Sequence, residues 1–196
     1  MKKMLSISVA FFVLLLFSFL VIRYNSGPKT IKEALSISHP EKINIIHEES
    51  TEHGIVVFYQ KFNDTGFSAA VLKESFGNYK VIYSAAQGDI SEPLNRFGFT
   101  YMFFPSIKNT SPPMYYGLIQ NPDIAQIKII EQKRGMDGRA KIIEGRDSRL
   151  WLMDMSPFEG SEFQIIALSK DNKEISKRND NLSLQVTDVN QSGTEK

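Results

Sequence analysis

One apolar run near the amino terminus constrains this chain more than any other feature. Leu5 to Ile22 (LSISVAFFVLLLFSFLVI) is eighteen residues long and contains no charged residue, glycine or proline. As an α-helix rising about 1.5 Å per residue, the run covers most of a hydrocarbon layer of roughly 30 Å. The sequence therefore predicts one transmembrane helix in contact with the lipid bilayer. About 170 residues remain for a folded domain, which is the size of one domain or two small ones.

Charged residues on either side of the run bear on its orientation. Lys2 and Lys3 precede it, and the positive-inside rule keeps such a flank in the cytoplasm. The prediction is a single-pass signal-anchor in the cell membrane, with a cytoplasmic N-terminus and an extracytoplasmic C-terminal domain. The alternative is a signal peptide and a secreted protein. Arg23 directly after the run, without a small-x-small cleavage site, favours the uncleaved anchor.

Charge and cysteine content exclude several function classes. Residues 1–23 contain three of the 23 basic residues and no acidic one, which leaves 20 basic against 22 acidic residues. A domain so close to neutral has no electrostatic basis for binding nucleic acid. Because the chain has no cysteine, disulfides, thiolate metal sites and cysteine nucleophiles are excluded. An exported domain without cysteine is more typical of a bacterium than of a eukaryotic secretory pathway.

After residue 41 the pattern is that of short strands rich in β-branched and aromatic residues, separated by turn signals every 8 to 15 residues. This spacing predicts a mainly β fold, an antiparallel β-sandwich-like domain, with two packed β sub-domains as the alternative. The predicted parts are the cytoplasmic tip and anchor (1–24), a linker with a short helix (25–41), a first antiparallel meander (42–89), a second β-rich part (90–178) and a polar tail (179–196).

Within these parts the sequence predicts individual strands. Residues 86–97 show little periodicity and are predicted to be an irregular break between the two β-rich parts. Alternating Leu182, Leu184 and Val186 indicate a weak edge strand in the tail. The predicted strands are residues 42–48, 54–60, 67–73, 79–85, 99–104, 114–119, 127–131, 139–144, 150–155, 163–169 and 174–176.

The segment from His47 to His53 is the densest group of metal-ligand side chains. It holds two histidines and three glutamates in seven residues. Its histidines are six residues apart, whereas the zinc-binding H-E-x-x-H motif places them four apart on one helical face. We interpret the segment as an exposed polar turn between two strands. Neither a metal site nor another cofactor is predicted.

Aromatic residues on successive predicted strands are the remaining candidates for a site. Tyr101, Tyr115, Tyr116 and Trp151 are predicted as a ligand or partner surface, while burial in a β core is the alternative for such large side chains. Side chains alternate between the two faces of a strand. Tyr115 or Tyr116 must therefore face outward or into a second layer.

Several strand-and-turn segments resemble those of small membrane-anchored extracytoplasmic proteins of Gram-positive bacteria, to which no activity is assigned. The resemblance covers residues 40–178 in outline, and it implies a fold and a location without implying a catalytic residue. The segments that carry it are YGLI at 116–119, NPDI at 121–124, IKI at 127–129, RLW at 149–151 and ALSKDNKEI at 167–175.

Together these observations favour a non-enzymatic binding or interaction module at the cell envelope, whose partner is an envelope protein or a small ligand. One alternative is an envelope hydrolase or metal-dependent enzyme that uses the His47 to His53 segment. Another is a structural subunit whose anchor pairs with other membrane helices. The run has small residues at Ser6, Ser8 and Ala10 but no G-x-x-x-G motif, so the sequence neither favours nor excludes this pairing.

Overall fold

The fold is known from a computed structural model, which describes residues 12–18, 20–21, 24, 27–36, 38–62, 64–108, 110–145 and 148–182. The chain is mainly β, and all of its strand pairs are antiparallel. The strand pattern of the sequence is confirmed to that extent. The chain divides into two units, Met1–Gly88 with Lys108–Ser111, and Asp89–Ile107 with Pro112–Lys196.

The predicted anchor, Leu5 to Ile22, lies partly outside the described residues. Within it, residues 12–18 and 20–21 are helical. Their large apolar side chains leave between 40% and 66% of their surface exposed. No helix in the described part of the chain is both long enough and apolar enough to cross a membrane.

The first unit contains one four-stranded meander, in which each strand pairs with the next along the chain. The strands are β1 (Ile43–Ser50), β2 (Ile55–Lys61), β3 (Phe67–Ser75) and β4 (Asn78–Gln87), in the order β1-β2-β3-β4. Tight turns suffice for this topology because neighbouring strands run antiparallel. Phe76 and Gly77 form the β3–β4 turn, and both have positive φ angles, 53° and 67°.

A short helix, Ile31–Leu35, covers one face of this sheet. Thr30 caps it, since its Oγ1 atom accepts from the N–H of Glu33 while the Glu33 carboxylate accepts from the N–H of Thr30. This reciprocal capping box satisfies backbone donors that the helix cannot pair internally. Ile31, Ala34 and Leu35 then pack against buried side chains of the meander. A 3₁₀ helix, Pro40–Lys42, leads into β1.

The described residues of the second unit form two further four-stranded sheets and one α-helix, Ser91–Phe97. One sheet has the order β5-β6-β10-β9 and the other the order β12-β11-β7-β8. Their strands are β5 (Met102–Phe104), β6 (Met114–Ile119), β7 (Gln126–Glu131), β8 (Asp137–Arg139), β9 (Lys141–Glu144), β10 (Arg149–Asp154), β11 (Glu162–Leu168) and β12 (Glu174–Asn181).

Both sheets of the second unit contribute to one hydrophobic core. Tyr115 and Trp151 come from β6 and β10, and they share a cluster with Ile127, Ile129 and Phe163 of the other sheet. Burying aromatic and branched side chains against each other is the main source of stability for such a unit, at roughly 1.5–3 kcal/mol for each large side chain.

The structure corrects the single strand predicted at residues 139–144. Two short strands, β8 and β9, occupy this stretch and belong to different sheets. They are separated at Ala140, whose N–H donates to the carbonyl oxygen of Ile127. A strand that passes from one sheet to the next is a known way to form a corner. Local pattern cannot reveal it, because the difference lies in the pairing partners, β7 for β8 and β10 for β9.

A helix also replaces part of the predicted break at residues 86–97. Ser91–Phe97 is helical, and it ends at Gly98 in the left-handed conformation with φ 77°. Pro93 lies in the first turn, where the missing N–H costs no hydrogen bond, and Gly98 is a typical C-terminal residue. Seven residues are too few to show an apolar periodicity. The sequence therefore indicates this helix only through the residues at its two ends, Pro93 and Gly98.

The last strand is longer than the residues 174–176 predicted for it, and it extends into the predicted polar tail. Strand β12 continues to Asn181, and Leu182 is buried with its N–H donating to the carbonyl oxygen of Ser161. Polar residues dominate β12 because it is an edge strand, where charged side chains discourage pairing with other chains. The predicted alternation at Leu184 and Val186 lies outside the described residues.

The centre of the second unit holds a close backbone approach between β6 and the segment before β5. A Cβ atom on Gly117 would lie 2.0 Å from the carbonyl oxygen of Thr100 and 2.8 Å from Nε1 of Trp151. That carbonyl accepts from Nε1 of Trp151 at 2.9 Å, while Oγ1 of Thr100 accepts from the N–H of Leu118 at 3.0 Å. Only a residue without a side chain permits this arrangement.

We predict that Gly117→Ala strongly destabilises the protein. The added methyl group collides with backbone atoms of Thr100, which cannot move without losing the hydrogen bond from Trp151. Overpacking of this kind costs about 1–3 kcal/mol, and we expect the upper part of that range. Urea unfolding of the full chain in detergent, followed by tryptophan fluorescence, measures the change.

Gly88→Ala is the matched control. No atom lies within 4 Å of a Cβ atom placed on Gly88, and its φ angle is not positive. The same chemical change should therefore leave the unfolding midpoint almost unchanged. Equal stability of the Gly117→Ala variant and the wild type would contradict the prediction.

Candidate functional site

Three of the four predicted surface aromatics are core residues instead. Tyr115, Tyr116 and Trp151 are fully buried, so they cannot form a ligand or partner surface. All six residues of β6 are buried, and Tyr115 and Tyr116 therefore both face packed layers rather than one of them facing solvent. Tyr101 is partly buried and packs against the same core as Tyr115.

Tyr115 has a structural hydrogen bond across the core. Its hydroxyl group donates to Oδ2 of Asp180 at 2.5 Å, which joins β6 to β12 of the other sheet. Burial raises the pKa of Tyr115 above its usual range, and the hydrogen bond to the carboxylate raises it further. The phenol therefore stays neutral and serves as a donor.

The predicted polar turn at His47 to His53 is wrong in its first half. Residues 47–50 belong to β1, and only the stretch from Thr51 to Gly54 forms the turn. The His47 ring stacks on Phe58, its register partner in β2, and its Nε2 atom lies 2.8 Å from Oε2 of Glu49. Across the described residues, no group of three or more histidine, aspartate or glutamate side chains could hold a metal ion.

Among the described residues, Glu131 at the end of β7 is the one charged residue whose side chain is buried. Arg134 donates two hydrogen bonds to its carboxylate, from Nε to Oε1 at 2.7 Å and from Nη2 to Oε2 at 2.6 Å. These bonds hold the pKa of the Glu131 carboxyl below its usual value, against the opposing effect of burial. Because both of its oxygens accept from Arg134, the carboxylate is better suited to a structural ion pair than to the role of a catalytic base.

A cleft of about 400 Å³ in the second unit is the candidate functional site. It lies between the end of the helix Ser91–Phe97, the turn at residues 120–122, and residues 175–176 of β12. Its volume falls in the range of roughly 300–1,000 Å³ that is usual for small-molecule sites.

Hydrogen bonds hold the three walls of the cleft together. The carbonyl oxygen of Gly98 accepts from the N–H groups of Gln120 and Asn121, and Oγ of Ser176 donates to the carbonyl oxygen of Phe97 at 2.7 Å. Arg149 donates to the carbonyl oxygens of Asn121 and Ile124 and so supports the turn from below. A cleft framed in this way is preorganised, which lowers the entropy lost when a ligand binds.

The lining combines apolar side chains with groups that form hydrogen bonds. Leu94, Phe97 and Ile175 are apolar. The side-chain amides of Asn95 and Gln120 make no hydrogen bond within the described part of the chain. Each can both donate and accept, which suits ligands that carry hydroxyl or amide groups.

Positive charge surrounds the aromatic wall of the cleft. The guanidinium of Arg178 lies 4.1 Å from the Phe97 ring centroid and 5.8 Å from that of Tyr101, and the guanidinium of Arg96 lies 5.0 Å from the Phe97 ring. Arg96 has an acidic neighbour, Glu92, at 3.6 Å, but both side chains are largely exposed. Tyr101 is thus the one predicted site residue that lies near the cleft.

Sequence reasoning missed the cleft because its residues come from three distant segments. The turn at Asn121-Pro122-Asp123 is recognisable locally, since the Asn121 side chain accepts from the N–H of Asp123. Its partners at residues 94–97 lie in the stretch that the sequence predicts to be irregular, and Gly98 follows directly after that stretch. Gly98 after Phe97 was the available signal for a helix end.

Comparison with protein-family models, with curated proteins and with solved structures finds no match to this chain.

We predict that Glu131→Gln destabilises the protein at neutral pH and less so in acid. The folded state lowers the pKa of this carboxyl below its ordinary value of 4.5. Its ionised form therefore contributes stability above that value, and the contribution is lost as the pH falls through the lower pKa of the folded protein. Urea unfolding midpoints of wild type and variant, measured from pH 7 to pH 3, should converge toward the acid end.

Glu159→Gln is the control for this pair. Glu159 contacts the same arginine, from its Oε2 atom to Nη1 of Arg134 at 2.8 Å, but 84% of its side chain is exposed. Exposed ion pairs contribute little, so this variant should stay within about 0.5 kcal/mol of wild type. A pH-independent gap between Glu131→Gln and wild type would contradict the assignment.

Proposed function

We propose that this chain is a single-pass membrane protein whose β-sandwich-like exterior domain binds a partner or a small ligand at the cell envelope. The cleft between residues 94–98, 120–122 and 175–176 is its ligand site. The N-terminus lies in the cytoplasm and the domain lies outside the membrane.

Two features support the membrane location. The run from Leu5 to Ile22 has the length and composition of a membrane-spanning helix, and lysines flank it at the very N-terminus. Its described residues are helical and leave large apolar surfaces exposed. Exposed contiguous apolar surface of this kind favours a lipid or protein environment over water.

The cleft is the observation that carries the binding function. It is an open cleft framed by hydrogen bonds, and polar and apolar residues contribute to its lining in similar numbers. The polar groups that converge on it can orient a ligand. Side chains from both sheets form one hydrophobic core, which is consistent with the sandwich-like architecture. Such an architecture holds the strand and the turn of the cleft in fixed positions.

Charge and hydrogen-bonding groups indicate the class of ligand. Arg96 lies on the lining and Arg178 packs on its aromatic wall, so an anionic group is favoured there. The amides of Asn95 and Gln120 suit hydroxyl or peptide groups, and Phe97 with Ile175 provides apolar contact. We therefore infer a small polar ligand or a peptide end that carries a carboxylate or phosphate.

A hydrolase or metal-dependent enzyme that uses the His47 to His53 segment has less support. His47 pairs with Glu49 and stacks on Phe58 within a strand, and His53 pairs with the neighbouring Glu52 at 3.6 Å. Neither histidine lines the cleft. The proposal therefore assigns the protein a binding role.

Cell fractionation tests the membrane location. We expect the full chain in the membrane fraction with an intact N-terminus, resistant to extraction at high pH, and with its domain accessible to protease outside the cell. Leu15→Arg combined with Leu16→Arg should abolish stable insertion, because an arginine near the centre of a spanning helix costs about 2.5–3.5 kcal/mol.

Leu15→Ile combined with Leu16→Ile is the matched control and should insert like the wild type, since isoleucine is as apolar as leucine. A soluble mature protein that begins near residue 27 would overturn the anchor in favour of a cleaved signal peptide.

Ligand-observed NMR with a panel of carboxylate- and phosphate-bearing sugars and short peptides tests the cleft. We expect at least one class to bind, and Arg96→Gln to weaken its affinity about ten-fold or more, since hydrogen bonds to charged groups contribute about 1.5–3 kcal/mol. Binding should also weaken as the salt concentration rises.

Arg139→Gln is the control for charge. It removes the same charge from the second unit, but Arg139 lies in β8, at the opposite edge of its sheet from β12. Three strand spacings separate these edges, or roughly 14 Å. Equal loss of affinity in both variants would show that binding responds to net charge and would remove the cleft as the site.

A further inference from the structure

The turn between β3 and β4 lies close to the end of the apolar segment. The ring of Tyr24 packs on this turn, where a Cβ atom on Gly77 would lie 3.1 Å from it. The N–H of Tyr79 donates to the carbonyl oxygen of Pro28 at 2.9 Å, which holds the following chain along the same hairpin. Tyr24 lies three residues after Val21 in the chain, a span of at most about 11 Å.

The tip itself exposes an aromatic side chain in a conformation that disfavours it. Phe76 has a φ angle of 53° and leaves 56% of its surface exposed. A turn with positive φ at both central residues ordinarily favours asparagine, aspartate or glycine. The turn therefore presents a large apolar side chain at its exposed tip, where the backbone conformation does not require one.

Basic residues accompany the tip. Lys73 and Lys80 are directly opposite each other in the β3–β4 register, both are exposed, and neither has an ion-pair partner among the described residues. Like charges in opposite positions repel each other. Lys29 adds a third positive charge, with its Nζ atom 3.8 Å from the Tyr24 ring centroid, while Glu74 is the acidic residue of the hairpin end. The excess of positive charge at the hairpin tip favours contact with an anionic surface.

We propose that the tip of the β3–β4 hairpin is a second membrane contact, which inserts Phe76 into the interface of the bilayer that the apolar segment crosses. This inference rests on the proposed membrane anchor. Tyr24 lies at the depth where aromatic side chains concentrate, and Lys29, Lys73 and Lys80 face the headgroups. Two contacts, one helical and one at the hairpin, fix the orientation of the first unit on the membrane.

The absence of cysteine makes this contact directly measurable. Phe76→Cys provides a single site for an environment-sensitive fluorophore in the full chain. In reconstituted vesicles of phosphatidylcholine and phosphatidylglycerol, we expect blue-shifted emission that lipids brominated near the headgroup quench.

Phe62→Cys is the matched control. Phe62 is also an exposed phenylalanine beside a turn, with 70% of its surface accessible, but it follows β2 at the opposite end of β3. The nine residues of β3 separate the two ends by roughly 26 Å. A fluorophore at this site should keep the emission it has in water and should resist quenching.

Lys73→Gln combined with Lys80→Gln tests the electrostatic part with the same probe. On vesicles that contain phosphatidylglycerol, each lost lysine should weaken the tip contact about five-fold, and the variant should match wild type on pure phosphatidylcholine. An unchanged response to the anionic lipid would overturn the role of the lysines.

The outcomes separate this inference from the anchor on which it rests. Emission typical of water at position 76, in protein that remains in the vesicles, would overturn the hairpin contact and leave the anchor in place. Failure of the labelled wild-type background to enter vesicles would overturn both. Equal quenching at positions 62 and 76 would overturn the hairpin contact, because lipid would then touch both ends of the sheet.

Discussion

The second unit depends on one close contact, the approach of the Thr100 backbone to Gly117. Trp151 donates to the Thr100 carbonyl group, and Leu118 exchanges two hydrogen bonds with Thr100 through its N–H and carbonyl groups. These bonds determine where the chain lies just after Gly98. Gly98 in turn holds the turn at residues 120–121 through its carbonyl oxygen. The position of the cleft therefore follows from an arrangement in the core, where packing leaves little freedom to move.

Much of the β structure was predictable because local composition determines it. Residues 114–119 are a strand in both the prediction and the structure, since an apolar run between prolines permits little else. The separation of β8 from β9 and the extent of β12 were not predictable, because both depend on which neighbouring strand each one pairs with, and local composition does not show this. Edge and corner strands carry polar side chains, and their own pattern then resembles that of a loop.

The candidate site was less predictable than the fold. Alternation correctly required Tyr115 and Tyr116 to point to opposite faces, yet it does not tell whether a second layer covers each face. Both are buried, whereas the exposed Phe76 lies in a turn that the sequence marks by its Gly77-Asn78 pair. The cleft joins three segments whose proximity arises from sheet order, so no motif within any one segment indicates it.

The junction at Ala140 has a mechanical consequence for the second unit. One residue links a strand of one sheet to a strand of the other, so neither sheet can slide far along its neighbour at that edge without breaking one of the two ladders. On the far side of the core, Tyr115 and Asp180 join the same two layers. Two layers that are connected at two places resist sliding past each other. We therefore expect both sheets to unfold together on heating, without a gradual displacement of one sheet along the other.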